Sequence, residues 1–206
     1  MENELNGRSL DTLCGALAKC MGIEKSAQAA EAVPELVEYV FGQTGGKNVD
    51  RIFMYNPDAI AEWIFEKYNP MFTPAKAIAP LELPFRTVMP SVTPVCFGTM
   101  YTGALPEVHG IRSYTKPVIR IDTLFDALIR AGKKPAVVST AGDSLSMIFL
   151  ERPMDYYILP TVDECTAKAK ELIREDRYDF ILLYNADYDA TMHRWAPEGE
   201  ASLAAL

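Results

Sequence analysis

Pro90-Ser91-Val92-Thr93-Pro94-Val95-Cys96-Phe97-Gly98-Thr99-Met100-Tyr101-Thr102-Gly103-Ala104-Leu105-Pro106-Glu107-Val108-His109-Gly110-Ile111 is the stretch on which the reading of this chain turns. Pro90 and Pro94 bracket two hydroxyl residues, Ser91 and Thr93, and restrict the backbone around them. A run of small and apolar residues follows and closes on a Pro, His-Gly turn. That order suits a hydroxyl held at the start of a helix, where free N–H groups and the helix dipole favour an anion such as phosphate. The plainer reading is a proline-flanked loop that enters a buried helix through an ordinary N-cap.

Working outward, the segments on both sides alternate between strand and helix. Residues 51–56, Arg-Ile-Phe-Met-Tyr-Asn, predict a buried strand, and residues 59–68 a helix. Asp58 lies at the hand-over. It reads either as a ligand-binding acid at the carboxyl edge of a sheet or as a helix cap. Residues 71–89 are proline-rich and irregular, with one short strand-like run at 85–89. Residues 122–131 predict a helix whose core face is Leu124, Phe125, Leu128 and Ile129, stopped by Gly132. A buried strand over 135–140, a helix start over 144–150, an aromatic strand over 155–159 and an amphipathic helix over 162–176 follow. Phe180-Ile181-Leu182-Leu183-Tyr184 is the most apolar strand, and Asn185 to His193 comes directly after it.

Upstream, residues 9–22 and 27–41 predict two helices with apolar faces Leu10, Leu13, Leu17, Met21 and Val33, Leu36, Val37, Val40. Pro34 belongs to the second helix's first turn or divides it from the Ala-rich run before it. The expected organisation is an N-terminal helical extension over 1–46, serving as a cap or an oligomer contact, and one α/β domain over 47–206. Strands that are apolar throughout and alternate with helices predict a three-layer α/β/α fold with a mostly parallel sheet.

The 206 residues suffice for one good-sized core. The net charge is 20 − 28 = −8 with no basic stripe, which argues against nucleic-acid binding through phosphate neutralisation. An acidic protein that handles an anion needs local compensation, and a metal is one source of it. Cys14, Cys20, Cys96 and Cys165 form no CxxC pair and read as free thiols of a reducing compartment. The acidic, polar start is no secretory signal, and no apolar run nears the roughly 18 residues of a membrane span. The expected location is the cytoplasm, without membrane contact.

Three places with chemistry then stand out: Asp58 after one strand, Thr93 after the proline-rich entry, and Asp187, Asp189 and His193 after another strand. In a parallel sheet they share one edge. Asp189 and His193 stand four residues apart, so in a helix they lie on one face and can share an ion. A carboxylate with an imidazole suits Zn²⁺ and tolerates Mn²⁺ or Fe. The plainer reading of His193 is a surface helix residue.

The sequence here resembles the alkaline phosphatase superfamily, and within it the nucleotide pyrophosphatase/type I phosphodiesterase branch. The resemblance rests on Thr93, on Thr102-Gly103 nine residues further on, and on Pro106-Glu107-Val108-His109-Gly110-Ile111. Asp58 matches the family's metal-binding Asp after its first strand, and Asp189-Ala190-Thr191-Met192-His193 its Asp-x-x-x-His metal motif. It covers roughly residues 50–206.

The resemblance implies an alkaline-phosphatase-like domain and a site for two divalent metal ions, Zn²⁺ first and Mn²⁺ second. Thr93 is then the nucleophile and a ligand of the metal that Asp58 also holds, with a phosphothreonine intermediate. Asp189 and His193 hold the second metal, and two ions roughly 4 Å apart clamp both apical oxygens of an in-line displacement. The implied substrate is a small phosphate ester or a nucleotide-like molecule. The sequence departs from the pattern at several points. The family's Asp-His-Gly motif and its further His have no match through Leu206, so the metal sites and the fold are expected to be incomplete. Met192 stands where Gly usually precedes the metal His, Ala196-Pro197 where Gly-Pro follows, and Cys96 where this branch carries an Asn. The expected function is a metal-dependent phosphoesterase. The alternatives are a catalytically inactive or truncated binding protein of the same fold, a cofactor-free mutase or unrelated α/β module, and a Cys96 thiol nucleophile.

Overall fold

Proline decides where the second helix begins. The structure is a computed structural model and describes residues 7–206; the polar stretch 1–6, read above as no secretory signal, lies outside the described residues. Helix α1 spans Thr12–Cys20. Helix α2, Pro34–Thr44, starts on its proline, where a missing N–H costs nothing. The predicted helix over 27–41 therefore loses its beginning. The Ala-rich run is instead packed as a loop: Ala30 N donates to Gly103 O at 2.8 Å, and a Cβ on Gly15 would come within 2.7 Å of Ala30 O. Close tertiary packing overrides the helix preference of alanine there.

Strand β1 is Ile52–Pro57. Helix α3, Glu62–Lys67, begins later than residue 59 because Ala59 takes a left-handed conformation, φ 62°. The proline-rich region is more ordered than expected, with α4 at Thr73–Ile78. Among the described residues the strand-like run at 85–89 makes one parallel bridge, Arg86 beside Ser9. The stretch that opened the sequence reading forms α5, Thr93–Thr102, and the short α6, Pro106–His109.

Helix α7, Leu124–Arg130, carries a capping box of Thr123 and Asp126. Strand β2 is Pro135–Thr140, α8 Ser144–Ile148 and β3 Asp155–Leu159. A second capping box, Thr161 with Glu164, starts α9, Val162–Glu175. Strand β4 is Phe180–Asn185, and α10, Asp187–Trp195, and α11, Glu200–Ala204, follow it.

The four strands form one sheet in the order β1-β4-β2-β3, with every pairing parallel. Helices α1, α5, α7 and α8 cover one face. Their residues Leu17, Val95, Tyr101, Phe125 and Ile148 share a core with Val137, Phe180 and Leu182. Helix α9 covers the other face, where Cys165, Ala169 and Leu172 meet Val138, Ile181 and Leu183. The fold is thus a three-layer α/β/α arrangement. Strand β1 is covered on the α5 face only, and its other face leaves Phe53 46% and Tyr55 47% exposed. Among the described residues no helix is long and apolar enough to cross a membrane.

Candidate functional site

The pairing of β1 with β4 brings the first two parts of the site together. Their register sets Pro57 opposite Asn185, so both chains leave the sheet side by side, and Asp58 N donates to Asn185 O at 2.8 Å. Asp58 follows β1, and Asp187 and Asp189 open α10 after β4. The third part, Thr93, is the first residue of α5.

Asp58 is the hub. Its Oδ2 accepts the Thr93 Oγ1 hydroxyl at 3.0 Å and the Tyr184 hydroxyl at 2.6 Å. Its Oδ1 accepts Ala59 N at 2.8 Å, which explains the turn that delays α3. The cap reading of Asp58 thus fails: α3 begins at Glu62, with Ala61 as its N-cap. The hydroxyl of Tyr184 is held protonated far above its ordinary range, first by burial and then by the Asp58 charge.

Asp189 and Asp187 part company. Burial raises the pKa of Asp189, and the charge of Asp58 adds to that. Asp187 is raised by burial as well, but the acid it feels is Asp163, at the start of α9. Asp189 therefore lies within electrostatic range of Asp58. His193 reaches back along α10, with Nε2 3.4 Å from Asp189 Oδ1; its side chain is 72% exposed. The helical turn that the four-residue spacing requires is present.

The donor set is two carboxylates, one imidazole and one hydroxyl. These hard and borderline donors suit Zn²⁺ or Mn²⁺. Asp58 with Thr93, and Asp189 with His193, are the two pairs that could each offer two donors to an ion. Among the described residues no three His, Cys, Asp or Glu side chains gather closely enough to hold one ion by themselves.

Cys96 lies one turn beyond Thr93. Its Sγ is 3.2 Å from Thr87 Oγ1, and burial pushes its thiol pKa up. A thiol held protonated is a poor nucleophile, and no imidazole lies against it, so the structure weighs against the thiol reading. His109 is 5% exposed and acts as a strut: Nε2 meets Thr99 Oγ1 at 3.1 Å, and Nδ1 accepts Ile111 N at 3.2 Å.

Sequence reasoning missed Tyr184 and Asn56. Both are polar-tipped residues closing an otherwise apolar strand, which is the signal that could have found them, since a buried phenol or carboxamide needs a partner. Asn56 Oδ1 accepts the hydroxyl of the fully buried Tyr101 at 2.9 Å. No family model matches the chain, and neither does any curated protein sequence.

Proposed function

We propose that this chain hydrolyses small phosphate esters with Thr93 as nucleophile, in the manner of the alkaline phosphatase superfamily. One observation supports the reading: the Thr93 hydroxyl donates to Asp58 Oδ2 at 3.0 Å, at the edge of the sheet where β1 and β4 end. A hydroxyl so held has its proton directed at a carboxylate and its lone pairs free for phosphorus. Its place at the first residue of a ten-residue helix favours negative charge on Oγ1. Tyr184 occupies the same Asp58 oxygen from the other side and keeps the carboxylate oriented. Asp58 with Thr93, and Asp189 with His193, would each hold a divalent ion, Zn²⁺ or Mn²⁺. Such ions, when bound, supply Lewis-acid charge that stabilises the attacking and leaving oxygens. The attack joins Oγ1 to phosphorus and expels one alcohol, which leaves with the hydroxyl proton; water then cleaves the bond between Oγ1 and phosphorus, regenerating the threonine and releasing a phosphomonoester from a diester or phosphate from a monoester.

A phosphodiester or a nucleotide-like pyrophosphate is the substrate class that the Thr-Gly and Pro-Glu-x-His-Gly pattern supports, and an acidic protein without a basic stripe is a poor fit to nucleic acid. A second reading, a binding protein of the same fold, is favoured by the two-donor limit at each ion position and by the exposure of His193. The test is hydrolysis of bis(p-nitrophenyl) phosphate by the Zn²⁺- or Mn²⁺-loaded protein. Turnover that disappears in Thr93→Ala supports the enzyme. No turnover with either ion, together with unchanged affinity for the diester in Thr93→Ala, supports the binding protein.

A further inference from the structure

The sheet has two edges, β1 and β3, and they are finished differently. Strand β3 opens on the exposed Asp155, and Lys168 of α9 stands over its Tyr157 ring, 5.6 Å from the centroid. Charge and a covering helix are common means of keeping an edge from pairing with another chain. Strand β1, Ile52–Pro57, has neither on its outer side. It contains no charged residue, and its outer face carries the exposed Phe53 and Tyr55.

The hydrogen bonds show which backbone groups of β1 are unused. Ile52 N donates to Asp179 O at 2.9 Å and Asp58 N to Asn185 O at 2.8 Å, so the even-numbered residues turn their N–H and C=O toward β4. The alternation of a strand turns those of Phe53 and Tyr55 outward. Among the described residues no backbone group of another segment bonds to them. Pro57, which has no N–H, ends the same outward set, as a proline of an edge strand should.

This edge is its own complement. With an antiparallel copy of β1 placed about a two-fold axis at Met54, Phe53 of each copy falls opposite Tyr55 of the other, and each pair can exchange both N–H···O bonds. The same pairs set ring beside ring on the outer face, where Asn185 Nδ2 already donates to the Tyr55 hydroxyl at 2.9 Å and holds that ring in place. On the α5 face Met54 meets Met54 of the copy. Arg51, the charged residue just before the strand, falls opposite Pro57, so no like charges meet along the paired residues.

We propose that β1 is a dimerisation edge, on which a second copy of this chain pairs antiparallel about Met54 and joins two four-stranded sheets into one. The pairing does not depend on the phosphoesterase reading.

Sedimentation velocity of the full chain tests it. The mass should rise toward twice that of one chain as concentration increases. Phe53→Glu, on the solvent face, removes both aromatic pairs and adds a carboxylate to each of two acidic chains; association should weaken about tenfold or more. Met54→Cys reads the register independently and keeps the test alive if Phe53→Glu fails to fold. It places two thiols directly opposite, at the roughly 4.5–5.5 Å Cβ separation of a facing pair, which a disulfide can close with a small adjustment. Oxidation should link the chains through the introduced thiol, and peptide mapping separates that link from one through Cys96. A monomer at every concentration would leave the edge to a strand of a different protein and overturn the proposal. A dimer that Phe53→Glu leaves intact, or one whose Met54→Cys chains do not link at that position, would overturn it as well.

Discussion

Helix α5 carries hydroxyls at both ends, and the two ends are built on opposite principles. At the C-terminal end every polar atom is spent. Thr99 meets His109, Thr102 Oγ1 donates to Gly98 O at 2.7 Å and accepts Ala104 N at 3.1 Å, and both threonines are fully buried. The His109 ring lies on Gly98, where a Cβ would come within 2.7 Å of it. At the N-terminal end the accounts stay open. Among the described residues the Thr93 hydroxyl has one partner, Asp58 carries two donors on a single oxygen and adds to the raised pKa of Asp189, and Asn56 Nδ2 has no acceptor. Closed polar networks hold a fold in one arrangement, whereas crowded charge and idle donors wait for a ligand. The same residue type, threonine, is structural at one end and chemical at the other because of what surrounds it.

The sharpest way to break this contrast is Thr93→Ala. Diester hydrolysis should fall about 10³-fold or more, equivalent to roughly 4 kcal/mol of barrier, while the midpoint of urea unfolding stays within error. A fall in rate that merely follows a fall in stability would erase the distinction between the ends. At the closed end the expectation inverts. Gly98→Ala should cost about 1–3 kcal/mol of stability by overpacking against the His109 ring, read as a lower urea midpoint. In the folded fraction the catalytic constants should be close to those of the wild type.

The four strands are legible in the sequence because each is an apolar run of five or six residues bounded by turn formers, and the structure places them at 52–57, 135–140, 155–159 and 180–185. Thr93, Asp58, Asp189 and His193 are legible because each follows a strand or a proline at a spacing with chemical meaning. The preference for Asp189 over Asp187 comes from the four-residue interval to His193; in the structure burial raises both carboxyls, with Asp58 adding to the first and Asp163 to the second. Other features depend on contacts between distant segments. The Ala-rich run avoids helix because Gly15 and Gly103 receive it closely. Tyr184 and Asn56 acquire a role only when α5 is laid across β1 and β4. No periodicity reports an unpaired amide.

A smaller effect tests how the open end is held. Tyr184→Phe removes the 2.6 Å bond to Asp58 Oδ2 and little volume. Hydrolysis should drop about tenfold, roughly 1.4 kcal/mol, in kcat more than in KM. Because the phenol orients a proposed ion ligand, Zn²⁺ affinity by calorimetry should fall with it. A variant with full affinity and rate would make Tyr184 a packing residue.

The smallest effect belongs to the closed end and to pH. Burial depresses the pKa of His109 below the ordinary imidazole value. The unfolded chain therefore takes up a proton near pH 6.5 that the folded chain accepts only at lower pH. The contribution of the neutral ring is fully present above about pH 6.5 and is lost as pH falls through the folded pKa, by at most about 1.4 kcal/mol per pH unit. Unfolding free energies of the wild type and His109→Gln at pH 7.5, 6 and 5, the range in which imidazole titrates, should show the wild type losing stability faster on acidification. Parallel profiles would mean that the ring is not held neutral.

The central claim is that the Thr93 hydroxyl attacks phosphorus at the open end of α5. Its most direct measurement is to quench the Zn²⁺-loaded protein with acid during turnover of bis(p-nitrophenyl) phosphate and to map the phosphorylated peptide by mass spectrometry. The account predicts a p-nitrophenyl phosphoryl group on Thr93, left after loss of one p-nitrophenol and absent when Ala replaces the threonine. Consumption of the ester with Thr93 unmodified throughout, or undiminished turnover by Thr93→Ala, would contradict it.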